Sequence, residues 1–203
     1  MKKISLYSAA LVMCLFFYQT DLLAQKEKKE LGKQHILQLE KTAMVVVLMT
    51  GSNKINSLEK SNQQEKADVL KNENRQKQLE LIQVFKRNFT FCEVYFIFNT
   101  DLQKAKAGNL NDVLLDDSLE YNFKLQNHHP NFYFCRIGEI YFETFGTTMD
   151  GIALYDSSFN MLDPPFPYYL RRHYSLTFVH RDDDELVFEF NDRLLKYQDK
   201  TQK

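Results

Sequence analysis

The apolar positions of this chain fall into patches of distinct rhythm. Met44 to Met49, MVVVLM, is an unbroken apolar run with three successive valines. Runs of this kind suit strands buried on both faces, as in a sheet covered by helices. Gly51 and Ser52 stop the run, and a polar stretch follows. Asn56 to Asn88 has no Gly or Pro and is rich in Glu, Lys, Gln and Leu, which predicts a helix. Its apolar positions are uneven: Leu58, Ala67 and Leu70 are sparse, whereas Leu79, Leu81, Ile82, Val84 and Phe85 are dense. The C-terminal half should therefore pack on the sheet, and the polar middle should project into solvent or break into a helical hairpin. Phe89 to Asn99 reads as a second strand. Strand, helix and strand together predict a right-handed β-α-β unit with parallel strands.

The second half is richer in turns. Asp101 to Glu120 is polar, with a short strand or helical turn at Val113 to Leu115. NHHP, Asn127 to Pro130, is a loop, and NFYFCRIG, Asn131 to Gly138, is a third strand. Glu139 to Asp150 reads as a loop with partial strand character, Gly151 to Asp156 as a fourth strand, and Ser157 to Asn160 as a turn. Pro165 to Arg172, PFPYYLRR, then forms a fifth strand antiparallel to the fourth, its prolines suiting an edge. Phe166-Pro167 stands at a turn-to-strand junction, a setting for a cis bond. Asp182 to Asp184 charge and cap the start of a last helix, on which Leu186, Phe190, Leu194 and Tyr197 share one stripe. The fold class is α/β: a mixed sheet of about five strands, a β-α-β unit followed by a β-hairpin and a C-terminal helix.

The first residues look foreign to that fold. Lys2 and Lys3 precede an apolar run from Ile4 to Tyr18, and Ala24 offers a small residue before Gln25. This is the layout of a cleaved secretory signal peptide spanning 1–24, and the run is shorter than the about 20 residues a bilayer span needs. The expected organisation is then a polar leader over 25–43, a single domain over 44–198 and a polar tail over 199–203. Lys26 to Lys33 should be a solvated part of the leader, and a short helix at Gln34 to Lys41 should pack Ile36, Leu37 or Leu39. The expected locality is periplasmic or secreted, with no membrane span once the signal is removed. A formal charge of −1 gives no electrostatic footprint for nucleic acid. With 17 Phe and 11 Tyr, the composition favours a packed strand-rich core over disorder.

Two cysteines remain after cleavage, Cys92 and Cys135. An exported protein can bridge them, worth about 3–4 kcal/mol by chain entropy. Each also sits in an apolar run where a buried free thiol is common, so the sequence leaves both states open. No Cys-x-x-Cys pair exists, which argues against dithiol redox catalysis. The GSNK turn, Gly51 to Lys54, lacks the spacing of a phosphate loop; Ser52 and Asn53 are helix caps that could also face an anion. In the fifth strand Tyr168 can stack on a ligand, and Arg171 or Arg172 can hold a carboxylate or phosphate. Ser52, Asn53, Tyr168 and Arg171 are thus the candidate ligand-binding residues. No catalytic residue, metal site or cofactor motif stands out. His180 with Asp182 to Asp184 is the one cluster from which a metal or hydrolase site could be built, although the acidic run already serves a helix start.

The order of elements between Met44 and Tyr197 resembles the thioredoxin-like arrangement, with Pro167 placed like that family's turn proline. The resemblance implies a thioredoxin-like fold, and GSNKINS stands where the family keeps its cysteine pair. The expected function is a non-catalytic binding domain for an envelope or extracellular partner or a small ligand. The alternatives are a divergent thioredoxin-like thiol enzyme using Cys92 or Cys135, and an enzyme built around His180. Chain recovered from outside the cytoplasm is expected to begin at Gln25 on N-terminal sequencing; an intact Met1 terminus there would show that the leader is retained.

Overall fold

A computed structural model describes residues 24–129, 131–143, 146–173 and 180–203. The predicted signal segment up to residue 23 and Pro130 of the NHHP loop lie outside the described residues. A five-stranded sheet runs in the order β2-β1-β3-β4-β5. Its strands are β1 (Ala43–Leu48), β2 (Glu93–Phe98), β3 (Phe132–Phe142), β4 (Thr147–Tyr155) and β5 (Tyr169–Arg171). β1 pairs in parallel with both β2 and β3, while β3–β4 and β4–β5 are antiparallel.

β1 is the axis of the molecule. Every one of its side chains is 2% exposed or less. Met44, Val46 and Leu48 join a core with Cys135, Phe85 and Phe190, whereas Ala43, Val45 and Val47 join a second core with Tyr95, Leu114 and Phe134. The first core is closed by three helices: α1 over residues 24–40, α3 (Gln64–Asn88) and α5 (Asp183–Gln202). The second is closed by the short α4 (Leu102–Lys106) and the irregular chain that follows it.

The long polar segment takes the hairpin course. It breaks at Ser61 to Gln63 into α2 (Ser52–Lys60) and α3, where Asn62 adopts a positive φ of 56°. As the density of apolar residues predicts, α3 buries Leu81, Ile82, Val84 and Phe85 in its last turns. Asp182 caps α5 by accepting from the Glu185 backbone N–H at 2.8 Å, and Leu186, Phe190 and Leu194 are fully buried.

Four expectations need correction. The short helix expected at Gln34 to Lys41 is longer: α1 begins at residue 24, although residues 24–31 are exposed and Ile36 and Leu39 fully buried, as expected. Gly32 permits its close approach, since a Cβ there would stand 2.6 Å from the Tyr197 hydroxyl. Glu139 to Asp150 is not a loop but holds the facing ends of the β3–β4 hairpin, from Phe142↔Thr147 to Glu139↔Asp150. Period-2 alternation drives it, with Ile140 and Phe142 buried and Tyr141 exposed. The cis bond among the described residues joins Pro164 to Pro165, not Phe166 to Pro167. Finally, α5 continues to Gln202, through the expected polar tail.

α1 is also fixed by a polar contact. The Tyr133 hydroxyl donates to Gln38 Oε1 at 3.0 Å, so His35 Nδ1, 3.0 Å from the same oxygen, carries a proton and donates to it. Burial pushes the His35 pKa below 6.5, with the Asp156 carboxylate pulling weakly upward. The unfolded chain therefore takes up this proton before the folded one. The stability involved is fully present above about pH 6.5 and is lost as pH falls through the lower folded value. Melting temperature is expected to drop between pH 7 and 5, and the drop should be shallower in His35→Asn, whose amide keeps a donor near the Nδ1 position.

Candidate functional site

The site is built where β1 ends. Gly51, at φ +66°, turns the chain into α2 in a left-handed conformation that favours glycine. Three amide side chains hold this turn. Gln78 Nε2 donates to the Met49 carbonyl at 2.9 Å, and Asn74 Nδ2 donates to the Thr50 carbonyl at 3.0 Å. Asn99 Oδ1 accepts from both the Thr50 backbone N–H and its hydroxyl, each at 2.9 Å. The strand-end carbonyls that the helix leaves orphaned are thus satisfied from α3, and the turn from the end of β2. Gln78 is 8% exposed, so its amide is committed to the clamp.

Beside the clamp a crevice of about 530 Å³ opens between α3, the end of β1, the middle of β3 and the start of α5. Crevices outside the carboxyl ends of parallel strands are where α/β sheets commonly hold ligands. One wall is Asn74, Lys77 and Gln78; the other is Asp150, Arg172 and Asp183. Met49, just past β1, and Gly138, in the middle of β3, form the floor.

Arg172 ties that second wall together. Its Nε stands 3.1 Å from Asp150 Oδ1, and its Nη2 pairs with Asp183 Oδ1. Its backbone N–H donates to the Asp150 carbonyl at 2.9 Å, continuing the β4–β5 ladder. The three side chains join β4, the end of β5 and the first turn of α5. Burial raises the Asp150 pKa above its usual carboxylate value, outweighing Arg172, and Asp183 and Glu139 push it the same way. The site therefore holds a carboxylate that gives up its proton reluctantly, on a wall whose arginine is already engaged by two acids.

The four predicted ligand residues do not meet. Ser52 and Asn53 lie in the first turn of α2, which has no side-chain cap, so their expected capping role is not made. Tyr168 lines a different hollow of about 620 Å³ with Tyr155, Phe159 and Met161. Arg171 is exposed on β5, and its carbonyl accepts from Arg181 Nη1 at 2.9 Å. β3 and β4 separate β5 from β1, which keeps these two pairs apart. Of the two arginines read as anion holders, it is Arg172 that reaches the crevice, and there it serves the protein's own carboxylates.

Asn74, Gln78 and Asp150 were missed by sequence reasoning. The usable signal was the i, i+4 spacing of two amides on the helix face that turns toward the strand ends.

Cys92 and Cys135 are free thiols, so the bridge held open by the sequence is not made. Cys135 lies in β3 and Cys92 just before β2, with β1 between these strands. Two strand spacings of about 4.8 Å exceed the roughly 7 Å that a disulfide tolerates between Cα atoms. Burial pushes the Cys92 pKa up to about 12, and Cys135 upward as well. Such thiols are weak nucleophiles at neutral pH.

The acidic run near His180 is spoken for: Asp182 caps α5, Asp183 pairs with Arg172, and Asp184 binds Arg87 and Asn88. Hydrogen bonds from Arg87 and Asn88 hold the Asp184 pKa below its usual value. Among the described residues no cluster of three or more metal-ligating side chains forms, and no helix is long and apolar enough to cross a membrane.

The chain matches no family model, no curated protein and no solved structure.

Arg172→Met is expected to leave Asp150 without its cation and to cost about 2 kcal/mol, the scale for breaking a half-buried charged contact. Thermal denaturation should show a melting point lower by roughly 4–8 °C. An unchanged melting point would mean that the Asp150–Arg172–Asp183 wall carries no stability.

Proposed function

We propose that this chain is a non-catalytic binding domain acting outside the cytoplasm, and that it holds a small polar ligand in the crevice at the end of β1. The observation that carries the reading is the clamp of Asn74, Gln78 and Asn99 on the β1–α2 turn. It makes a rigid rim from helix and strand residues beside a crevice of ligand size. Pre-organisation of this kind lowers the ordering cost of binding.

The chemistry of the lining supports binding over turnover. Asp150 and Asp183 face Arg172 across ion pairs, and among the described residues the crevice lining has no serine, cysteine or histidine. What it offers a guest is the Lys77 ammonium and carboxylate and amide oxygens. The thioredoxin-like layout stays part of this reading as a scaffold without its redox pair: GSNKINS begins α2 without cysteine, and the two thiols are buried elsewhere.

The test is an amide NMR titration of the purified chain against a panel of small metabolites. At least one compound is expected to move the Gly138, Gln78 and Asp150 amides together and saturably while being recovered unchanged. Responses confined to other surfaces, or conversion of the compound, would overturn the reading.

A further inference from the structure

Among the described residues, the hollow of about 620 Å³ beside Tyr168 shares no lining residue with the crevice. It opens between the end of β3, the loop that follows β4 and the residue leading into β5. Phe142, Tyr155, Phe159 and Tyr168 give it aromatic walls. Phe142 belongs to the second core, and its ring centroid stands 4.8 Å from that of Tyr169, which holds the end of β3 against β5. A hollow of this size suits a small organic molecule.

One wall carries backbone strain. Asp156 ties the loop after β4: its Oδ1 accepts from the Ser158 N–H at 2.9 Å and the Asn160 N–H at 2.8 Å, and its carbonyl accepts from the Phe159 N–H at 2.9 Å. Phe159 closes that loop at a φ of +67°, in the left-handed region that suits glycine or asparagine and not a bulky ring. What the phenylalanine supplies is the ring itself, stacked on Tyr155 with centroids 4.4 Å apart and planes 3° from parallel. Phe159 and Tyr168 are both half-buried, so neither ring is wholly claimed by the core. Strained residues that their surroundings hold in place cluster at ligand sites.

The rim is acidic. Glu143 and Asp163 line the hollow, are exposed, and make no ion pair among the described residues. Lys28 of α1 is the one cation of the described lining, so the acids outnumber it. Burial raises the Tyr168 pKa and the Asp163 carboxylate adds to the rise, while burial pushes Tyr155 up to about 12. Both phenols stay neutral at physiological pH, and a further negative charge beside Asp163 is disfavoured. A cation is favoured twice, because ring faces attract one held within about 6 Å of their centroids and the acids complement it. An alkylated ammonium fits best, being weakly hydrated and needing no hydrogen-bond acceptor from the rings.

We propose that this hollow binds the alkylated ammonium group of a small organic cation, its methyl groups against Phe159 and Tyr168 and its charge faced by Glu143 and Asp163. The site is separate from the crevice at the end of β1 and does not rest on the reading given for it.

The test titrates the purified chain, carbon-labelled in its Phe and Tyr rings, with choline chloride, with sodium chloride at matched ionic strength, and with the uncharged carbon isostere of choline. Saturable shifts of the Phe159 and Tyr168 ring resonances with choline are expected, at least about tenfold tighter than with the isostere and absent with sodium chloride. No saturable response to choline overturns the inference, and so does an equal response to the isostere, which would mark the hollow as merely apolar. Movement of the Gln78 and Asp150 amides in place of those rings would put the cation in the crevice and overturn it as well. The paired variant Glu143→Gln, Asp163→Asn removes two exposed charges; it should keep its melting point and weaken choline by about threefold or more. Undiminished affinity in that variant would take the charge recognition away from the rim acids and overturn the site as assigned.

Discussion

β1 has no face to offer to water. Six consecutive side chains are buried, alternating into two separate cores, and its backbone is paired on both edges. Everything else in the molecule answers that constraint. One side of the sheet must be roofed, and α1, α3 and α5 do it with Ile36, Phe85 and Phe190. The other side must be roofed too, and there the chain uses the short α4 and an irregular stretch carrying Leu110, Val113 and Leu114. The roofs differ because the sequence after β2 is too broken by Gly108 and its polar neighbours to sustain a long helix.

A strand buried on both faces can meet polar chemistry only at its end. That places the amide clamp and the Asp150–Arg172–Asp183 wall at the Leu48 end of β1, where the roofs stop. The wall is largely self-neutralising. Two acids share one guanidinium, and the carboxylate that burial penalises most sits nearest the sheet. Arg136 stands apart from that wall, in register with Val47 and Ala153 on the strand face that builds the second core.

Much of the fold could be read from pattern alone. Three valines in a row, a dense apolar patch at Leu79 to Phe85 and an acidic cap before Leu186 each carry a local physical rule, and each of these elements stands where the rule puts it. The hairpin at Glu139 to Asp150 obeyed a rule as well, the alternation of Ile140 and Phe142, but the threonines and the glycine at its tip blurred it. The anchors of α1, Ile36 and Leu39, were legible, but the charge density before them hid how far the helix reaches back toward residue 24. The candidate site was far less legible. Ser52, Asn53, Tyr168 and Arg171 were chosen for what each side chain can do, whereas Asn74, Gln78 and Asp150 matter for where strand register and helix phase deliver them. Register is a property of pairs of segments, and no single segment displays it.

The bare α-carbon of Gly32 lets α1 lie against Tyr197 of α5, so helices from near the two ends of the described chain touch. This gives assembly an order in time. β1 and α3 can meet early, but their shared face keeps an open flank until the last helix arrives to close it beside the first. Of the described elements α5 is made last, and it completes the seal. A chain stopped short of α5 would present β1's most apolar surface to its neighbours, with aggregation as the alternative to closure.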